Sequence, residues 1–210
     1  GLGNDETLQK YVPAERILYC LGTIGTELPE PGKCVSKPES GVIMRFGAVK
    51  RSDASVKVGE YLEACFNRGG CKTVFESDIR PFVWKKAISN SGYNTISSLT
   101  RLKVGEFLSG NDGCELIKSV WKEGCEVCFA ATGVDLWSEM LDELPRLKDG
   151  FASYYPSMAQ DVLIHHRQTE VDLLNGAIVK YGKRLGVATP VNEAFTRLIH
   201  CIQSNYDIQY

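Results

Sequence analysis

The segment from Trp84 to Thr100, WKKAISNSGYNTISSLT, carries a stripe of polar side chains that could bind a small molecule. On a helix of 3.6 residues per turn, Lys86, Asn90 and Asn94 lie one above another on a single face. The lysine offers three donors and a positive charge, and each asparagine offers two donors and an acceptor. These groups suit a carboxylate or a carbonyl. The alternative is that they hydrogen-bond to one another or to loop backbone.

A second concentration of polar residues occupies positions 156–176, PSMAQDVLIHHRQTEVDLLNG. Ser157 is suited to cap a helix N-terminus, and at that position it could also help to receive an anion. By its spacing alone, Glu170 is expected to form a weak surface ion pair with Arg167.

No metal site is predicted. Eight cysteines are spread from Cys20 to Cys201 in a chain large enough to fold without disulfides, so reduced thiols are expected. Cys125 and Cys128 form a lone CxxC without a second pair at zinc spacing, and we expect them to be buried structural residues. The adjacent histidines 165 and 166 would diverge by about 100° on a helix and could not chelate one ion together.

Composition and charge exclude two classes of partner. The chain has 24 basic and 26 acidic residues without long runs, for a net charge of -2, so neither nucleic acid nor an anionic membrane surface is an expected partner. No long apolar segment or signal sequence is apparent, and we expect a cytoplasmic protein. The 43% hydrophobic content supports a substantial core.

The hydrophobic pattern changes along the chain and predicts an α+β fold. Residues 14–48 are expected to form three strands (RILYCLGTIGTEL, KCVS and GVIMRFG), followed by a helix over 55–70 and a strand at CKTVFES. A boundary is predicted at 76–81, and the rest of the chain should be helical. The predicted helices cover 80–100, 104–109, 112–132, 135–144, 157–185 and 190–206.

Three ordered motifs make the chain resemble the ketopantoate reductase family. They are W-x-K-x-x-x-N-x-x-x-N at Trp84, Lys86, Asn90 and Asn94; S-M-x-Q-D leading to R-x-T-E-x-D-x-x-N-G between Ser157 and Gly176; and G-V-x-T-P-x-N from Gly186 to Asn192. The segment between Gln160 and Glu170 is one residue longer than the usual family pattern.

The resemblance implies a fold and a reaction. Residues 1–78 would be the C-terminal portion of a Rossmann-like nucleotide-binding domain, and residues 79–210 an all-helical catalytic domain of the 6-phosphogluconate dehydrogenase C-terminal type. NADPH would reduce 2-dehydropantoate, a 2-oxo acid, to pantoate in pantothenate biosynthesis. Lys86 would be the catalytic proton donor and would bind substrate together with Asn90, Asn94 and Ser157. Glu170 would contact the nicotinamide ribose or orient the lysine.

The sequence lacks the family's nucleotide-binding motif and leaves two other functions open. No strand–GxGxxG–helix unit is present, so we expect roughly 100 further residues before this segment and expect these 210 residues alone to be inactive. A homodimer through the helical domain is also expected.

The scaffold could instead reduce a different 2-oxo acid, or the chain could be a non-catalytic dimerisation or interaction module. An upstream sequence without GxGxxG would favour the module.

Overall fold

The computed structural model describes residues 1–37, 41–150 and 152–208. The strands are β1 (Leu18–Gly22), β2 (Gly25–Glu30), β3 (Lys33–Lys37), β4 (Met44–Ala48) and β5 (Thr73–Phe75). The α-helices are α1 (Asn4–Leu8), α2 (Asp53–Arg68), α3 (Arg80–Thr100), α4 (Val104–Phe107), α5 (Asn111–Thr132), α6 (Trp137–Gly150), α7 (Ser157–Gln160), α8 (Asn175–Leu185) and α9 (Pro190–Gln203). A π-helical turn covers Asp161–His165, and 3-10 turns cover Ala14–Arg16, Val171–Leu173 and Tyr206–Ile208. The predicted α+β class is confirmed.

The chain divides into two compact units. One is Asn4–Phe82, and the other is Val83–Tyr210 together with Gly1–Gly3. The first unit holds the strands together with α1 and α2, and the second holds most of α3 and the helices that follow it.

The strand unit contains a three-stranded sheet and a separate hairpin. The sheet has the order β1-β4-β5, with β1 and β4 antiparallel and β4 and β5 parallel, while β2 pairs with β3. The strands predicted at KCVS, GVIMRFG and CKTVFES are confirmed. The single strand predicted over residues 16–28 is wrong: the chain pairs with β4 as far as Gly22 and with β3 from Gly25, and it is interrupted where its partner changes.

Helix α2 confirms the helix predicted over residues 55–70, with bounds two residues earlier. Its first turn is fixed by a capping box. The backbone N–H of Ser52 donates to Ser55 Oγ at 2.8 Å, and the backbone N–H of Ser55 donates to Ser52 Oγ at 3.2 Å. These bonds satisfy two backbone donors that the helix itself cannot.

In the helical unit, α3 and α5 match their predicted bounds closely, whereas α6 extends beyond its prediction. A stop at 144 was expected because proline cannot donate a backbone hydrogen bond inside a helix. The structure continues α6 through Pro145 to Gly150. Pro145 leaves the carbonyl of Leu141 without its helical partner, and Leu141 lies on the exposed side of α6, where water can satisfy that carbonyl.

The continuous helix predicted over 157–185 is wrong. After α7 the chain forms the π-helical turn Asp161–His165, and His166 then adopts a left-handed conformation with φ of 49°. A π-helical turn holds one more residue than an α-helical turn, so it accommodates the additional residue that the motif comparison indicated before Glu170. The left-handed residue ends the turn, and a separate α8 begins at Asn175.

Helices α3 and α5 approach each other closely at Gly92. A Cβ atom on Gly92 would lie 2.4 Å from Trp121 Nε1 and 2.7 Å from Ile117 Cγ1. The indole of Trp121 is fully buried, and its N–H donates to the carbonyl of Ser89 at 3.4 Å. Only glycine allows this approach, which sets the distance between the two helices.

A buried polar relay ties α3 to three other helices. Glu123 of α5 is 8% exposed and accepts hydrogen bonds from the backbone N–H groups of Val191 and Asn192 at 2.8 and 2.9 Å, at the start of α9. The Asn192 amide also donates to Glu123 at 2.8 Å. Asn175, the first residue of α8, then donates to Asn192 Oδ1 at 3.0 Å and to the carbonyl of Ser91 at 3.1 Å. The relay therefore ends on the backbone of α3.

Within the described ranges, no helix combines the length and the apolar character needed to cross a membrane.

We expect Gly92→Ala to destabilise the protein by about 1–3 kcal/mol, because the added methyl group overpacks the contact with Trp121. Urea unfolding followed by tryptophan fluorescence measures the change. Gly150→Ala is the matched control, because a Cβ atom there meets no atom within 4 Å. It should leave stability unchanged or slightly raised. Equal unfolding midpoints for Gly92→Ala and the wild type would contradict the packing argument.

We expect Glu123→Gln to lower the free energy of unfolding by about 1–3 kcal/mol, because one carboxylate oxygen that accepts a hydrogen bond is replaced by an NH₂ group that faces a donor. Glu126→Gln is the control, on an exposed position of the same helix. Its effect should stay within about 0.5 kcal/mol. If the two variants unfold at the same urea concentration, the relay does not stabilise the fold.

Candidate functional site

The polar face of α3 is confirmed as a continuous stripe whose burial increases along the helix. Lys86 is exposed, Asn90 is half-buried, and Asn94 is 2% exposed. The opposite side of the helix is buried in the core through Trp84 and Ile88. The stripe therefore begins at solvent and runs inward along α3.

Glu170 contacts the inner end of the stripe. The Asn94 amide donates to Glu170 Oε1 at 3.4 Å, although the two residues lie 76 positions apart. This contact depends on the turn that follows the π-helix, because Glu170 directly precedes the 3-10 turn Val171–Leu173. The ion pair predicted between Glu170 and Arg167 is wrong: Arg167 Nε donates to Asp161 Oδ1 at 2.7 Å instead.

The segment Gly1–Gly3 lies beside Lys86 and Glu170. The backbone N–H of Leu2 donates to the carbonyl of Leu173 at 3.1 Å, and the Leu2 side chain is buried. Gly1 lies within electrostatic range of both Glu170 and Lys86. Glu170 and Lys86, which carry opposite charges, therefore both lie near the same N-terminal segment.

Tyr93 is a member of this face that the motif comparison missed. It lies seven residues after Lys86 and three after Asn90, so helical spacing alone could have found it. Its hydroxyl donates to Asn90 Oδ1, and its ring packs edge to face against Tyr154 with centroids 6.4 Å apart. Burial raises the pKa of Tyr93 well above its usual value, and the nearby Tyr154, Glu143 and Glu170 raise it further.

Backbone contacts with the start of α4 position the loop that carries Tyr154. The N–H groups of Val104 and Gly105 donate to the carbonyls of Tyr154 and Ala152 at 3.1 and 3.2 Å. Gly105 is required at this approach, because a Cβ atom on it would lie 2.5 Å from Ala152 Cα. This loop leads directly into α7, and it therefore fixes both Tyr154 and the start of that helix.

Ser157 is exposed and is the first residue of α7. Its predicted capping role is wrong, because Pro156 is the N-cap residue and no side chain caps this helix. In the described part of the chain, Ser157 makes no recorded hydrogen bond to the stripe. Its connection to Asn90 runs through Tyr154, three residues earlier, and Tyr93.

The cysteines and histidines are not part of this constellation. All eight cysteines are described and none forms a disulfide, and Cys125 and Cys128 are buried as expected. Burial raises the pKa of Cys125 to about 12, which keeps this thiol protonated. Among the described residues, no group of His, Cys, Asp or Glu is arranged to hold a metal ion. The site instead presents one cation, two amides, a carboxylate and a phenol, which suits a small oxo acid.

The chain matches one protein-family model and is similar to several known proteins. Residues 78–203 match the family model described as Ketopantoate reductase PanE/ApbA C terminal. A 2-dehydropantoate 2-reductase from Streptococcus pyogenes serotype M6 is 28% identical over 210 residues, which cover 100% of this chain and 67% of that protein. One from Pyrobaculum aerophilum is 35% identical over 158 residues, which cover 75% of this chain and 54% of that protein.

The fold is also similar to that of a solved dehydrogenase. D-mandelate dehydrogenase, in a ternary structure with NADH and anilino(oxo)acetate, aligns with a TM-score of 0.86 at 25% identity. The alignment covers 100% of this chain and 66% of that chain. The 210 residues therefore span about two thirds of the length of these full-length relatives.

Proposed function

The chain belongs to the ketopantoate reductase family, as its motifs predicted, and on that premise we propose that it is the substrate-binding and catalytic part of an enzyme that reduces 2-dehydropantoate to pantoate with NADPH. The observation that carries this proposal is the contact between Asn94 and Glu170, which joins the two family motifs into one site beside Lys86. The proposal includes pantothenate biosynthesis as the pathway, the cytoplasm as the location and a homodimer through the helical unit.

In this proposal Lys86 is the proton donor. As C2 of the ketone gains a hydride, its oxygen gains negative charge, and an ammonium group placed beside it stabilises charge that is absent from the ground state. Lys86 then transfers a proton from Nζ to that oxygen, which gives the alcohol. Because Lys86 is exposed, it can regain a proton from solvent.

The remaining site residues hold the substrate in place. Asn90 and Asn94 provide uncharged hydrogen-bonding groups for the carboxylate and the hydroxyl of 2-dehydropantoate, and Ser157 provides a hydroxyl at the mouth of the site. Their contribution is orientation, because hydride transfer requires close and aligned carbon atoms.

Glu170 fits a role at the nicotinamide ribose. Its Oε1 receives one long hydrogen bond from Asn94, and in the described residues no hydrogen bond to Oε2 is recorded, so this half-buried carboxylate retains an acceptor for a hydroxyl group. When bound, NADPH supplies the hydride. The sequence lacks a strand–GxGxxG–helix unit, and we assign the binding of the phosphates and adenine to the rest of the full-length protein.

A different 2-oxo acid is the second candidate substrate. The similar D-mandelate dehydrogenase was solved with NADH and anilino(oxo)acetate, which carries an aromatic group. In this chain the rings of Tyr93 and Tyr154 lie beside Asn90 and could accommodate an apolar substituent. A panel of 2-oxo acids assayed on the full-length protein with NADPH and with NADH separates the candidates. A clear preference for an aromatic 2-oxo acid over 2-dehydropantoate would reject the first.

We expect Lys86→Ala to lower kcat of the full-length protein by about 10² to 10⁴, the usual contribution of a general acid. Steady-state kinetics with 2-dehydropantoate and NADPH measure the change. Lys85→Ala is the matched control, because Lys85 is the neighbouring residue but forms a surface ion pair with Glu139 at 2.9 Å. Its kcat should remain near that of the wild type. Unchanged turnover in Lys86→Ala would exclude the assigned role.

A further inference from the structure

The two asparagines of the α3 stripe are held in opposite orientations. An asparagine amide has an acceptor end, Oδ1, and a donor end, Nδ2. At Asn90 the acceptor end is occupied, because Tyr93 donates its hydroxyl proton to Oδ1. At Asn94 the donor end is occupied, because Nδ2 donates to Glu170. In the part of the chain that the structure describes, no hydrogen bond is recorded to Asn90 Nδ2 or Asn94 Oδ1.

We propose that Tyr93 is a positioning residue that holds Asn90 with its donor end toward the substrate. This position then selects a hydrogen-bond acceptor, the carboxylate of a 2-oxo acid, while Asn94 accepts a hydrogen bond from a hydroxyl group on the same molecule. The inference rests on the proposed function and extends it, because it assigns a role to Tyr93.

The surroundings of Tyr93 support a hydrogen bond from its hydroxyl to Asn90. Its ring is held against Tyr154, and the hydroxyl of the nearby Ser89 donates its single proton to Glu143 at 2.6 Å. Ser89 also lies within hydrogen-bonding reach of the Tyr93 hydroxyl, and this contact lowers the pKa of Tyr93 against the larger, opposite effect of burial. The phenol carries one proton and gives it to Asn90, and because burial raises the pKa of Tyr93, the phenol keeps this proton over the working pH range.

The hydrogen bond from Tyr93 also disfavours the reversed amide. If the Asn90 side chain rotated by 180°, Nδ2 would face the phenol and Oδ1 would face the substrate. A carboxylate would then meet an acceptor, and the repulsion between their lone pairs would weaken binding. In that rotamer the phenol would accept a hydrogen bond from Nδ2 and would lose Oδ1 as the acceptor for its own proton, so the Tyr93 hydroxyl favours the observed orientation. Removal of the hydroxyl alone should free the amide to rotate without a change in the packing of the ring.

The test compares wild-type and Tyr93→Phe full-length protein with two ligands that differ at one group. One is 2-dehydropantoate, and the other is its amide, 4-hydroxy-3,3-dimethyl-2-oxobutanamide, which can donate a hydrogen bond where the acid cannot. For each enzyme, kcat/KM is measured with NADPH, and the acid-to-amide ratio is taken. This ratio is independent of the fraction of active enzyme, so a partly unfolded variant does not distort it.

We expect the acid-to-amide ratio to fall about twofold in Tyr93→Phe, through a higher KM for the acid, because a freed amide is in the binding orientation only about half of the time. Tyr11→Phe, which removes a hydroxyl from a residue that is 81% exposed, should leave the ratio unchanged. An equal loss for acid and amide would mean that Tyr93 is merely structural and would overturn the inference while the proposed function stands. Failure of the wild type to reduce 2-dehydropantoate would overturn the proposed function and this inference together.

Discussion

The buried carboxylate of Glu123 is the interaction on which the helical unit depends. Its two oxygens receive the backbone N–H groups at the start of α9, and Asn192 and Asn175 carry the connection to the Ser91 carbonyl of α3. A buried carboxylate is stabilising only when hydrogen bonds satisfy it, so the loss of one member leaves a costly unpaired group. Ser91 is the residue after Asn90 on α3. The relay that stabilises the core therefore also holds α3 in the rotation about its axis that places Asn90 in the candidate site.

Helix α3 accepts polar residues on several sides, and its sequence explains how. Thr95, Ser98 and Thr100 donate to carbonyls four residues earlier at 2.5 to 2.7 Å, so the buried hydroxyls of Thr95 and Ser98 are satisfied by the helix itself. The conformational cost of Asn90 and Asn94 is offset by partners in neighbouring side chains, Tyr93 and Glu170. The helix can therefore present amides to a ligand while its opposite side packs against α5.

Sequence patterns predicted the helices that have a regular hydrophobic spacing. They missed the elements whose bounds depend on one local change in backbone conformation. The bounds of α3 follow from its hydrophobic spacing alone. The break between α7 and α8 does not, because it depends on one additional residue, a π-helical turn and a left-handed His166. The family motifs gave Lys86, Asn90 and Asn94, and helical spacing places Tyr93 on the same face, but the hydrogen bonds of the two amides to Tyr93 and Glu170 required side-chain positions that only the folded chain provides.

We propose that the polar face of α3 binds a 2-oxo acid with its ketone at Lys86. A crystal structure of the full-length protein with NADP⁺ and pantoate tests it most directly. The account predicts that Lys86 Nζ lies about 3 Å from the C2 oxygen of pantoate, with Asn90 at the carboxylate. Pantoate bound away from α3, or bound with its C2 oxygen beyond the reach of Lys86, would contradict it.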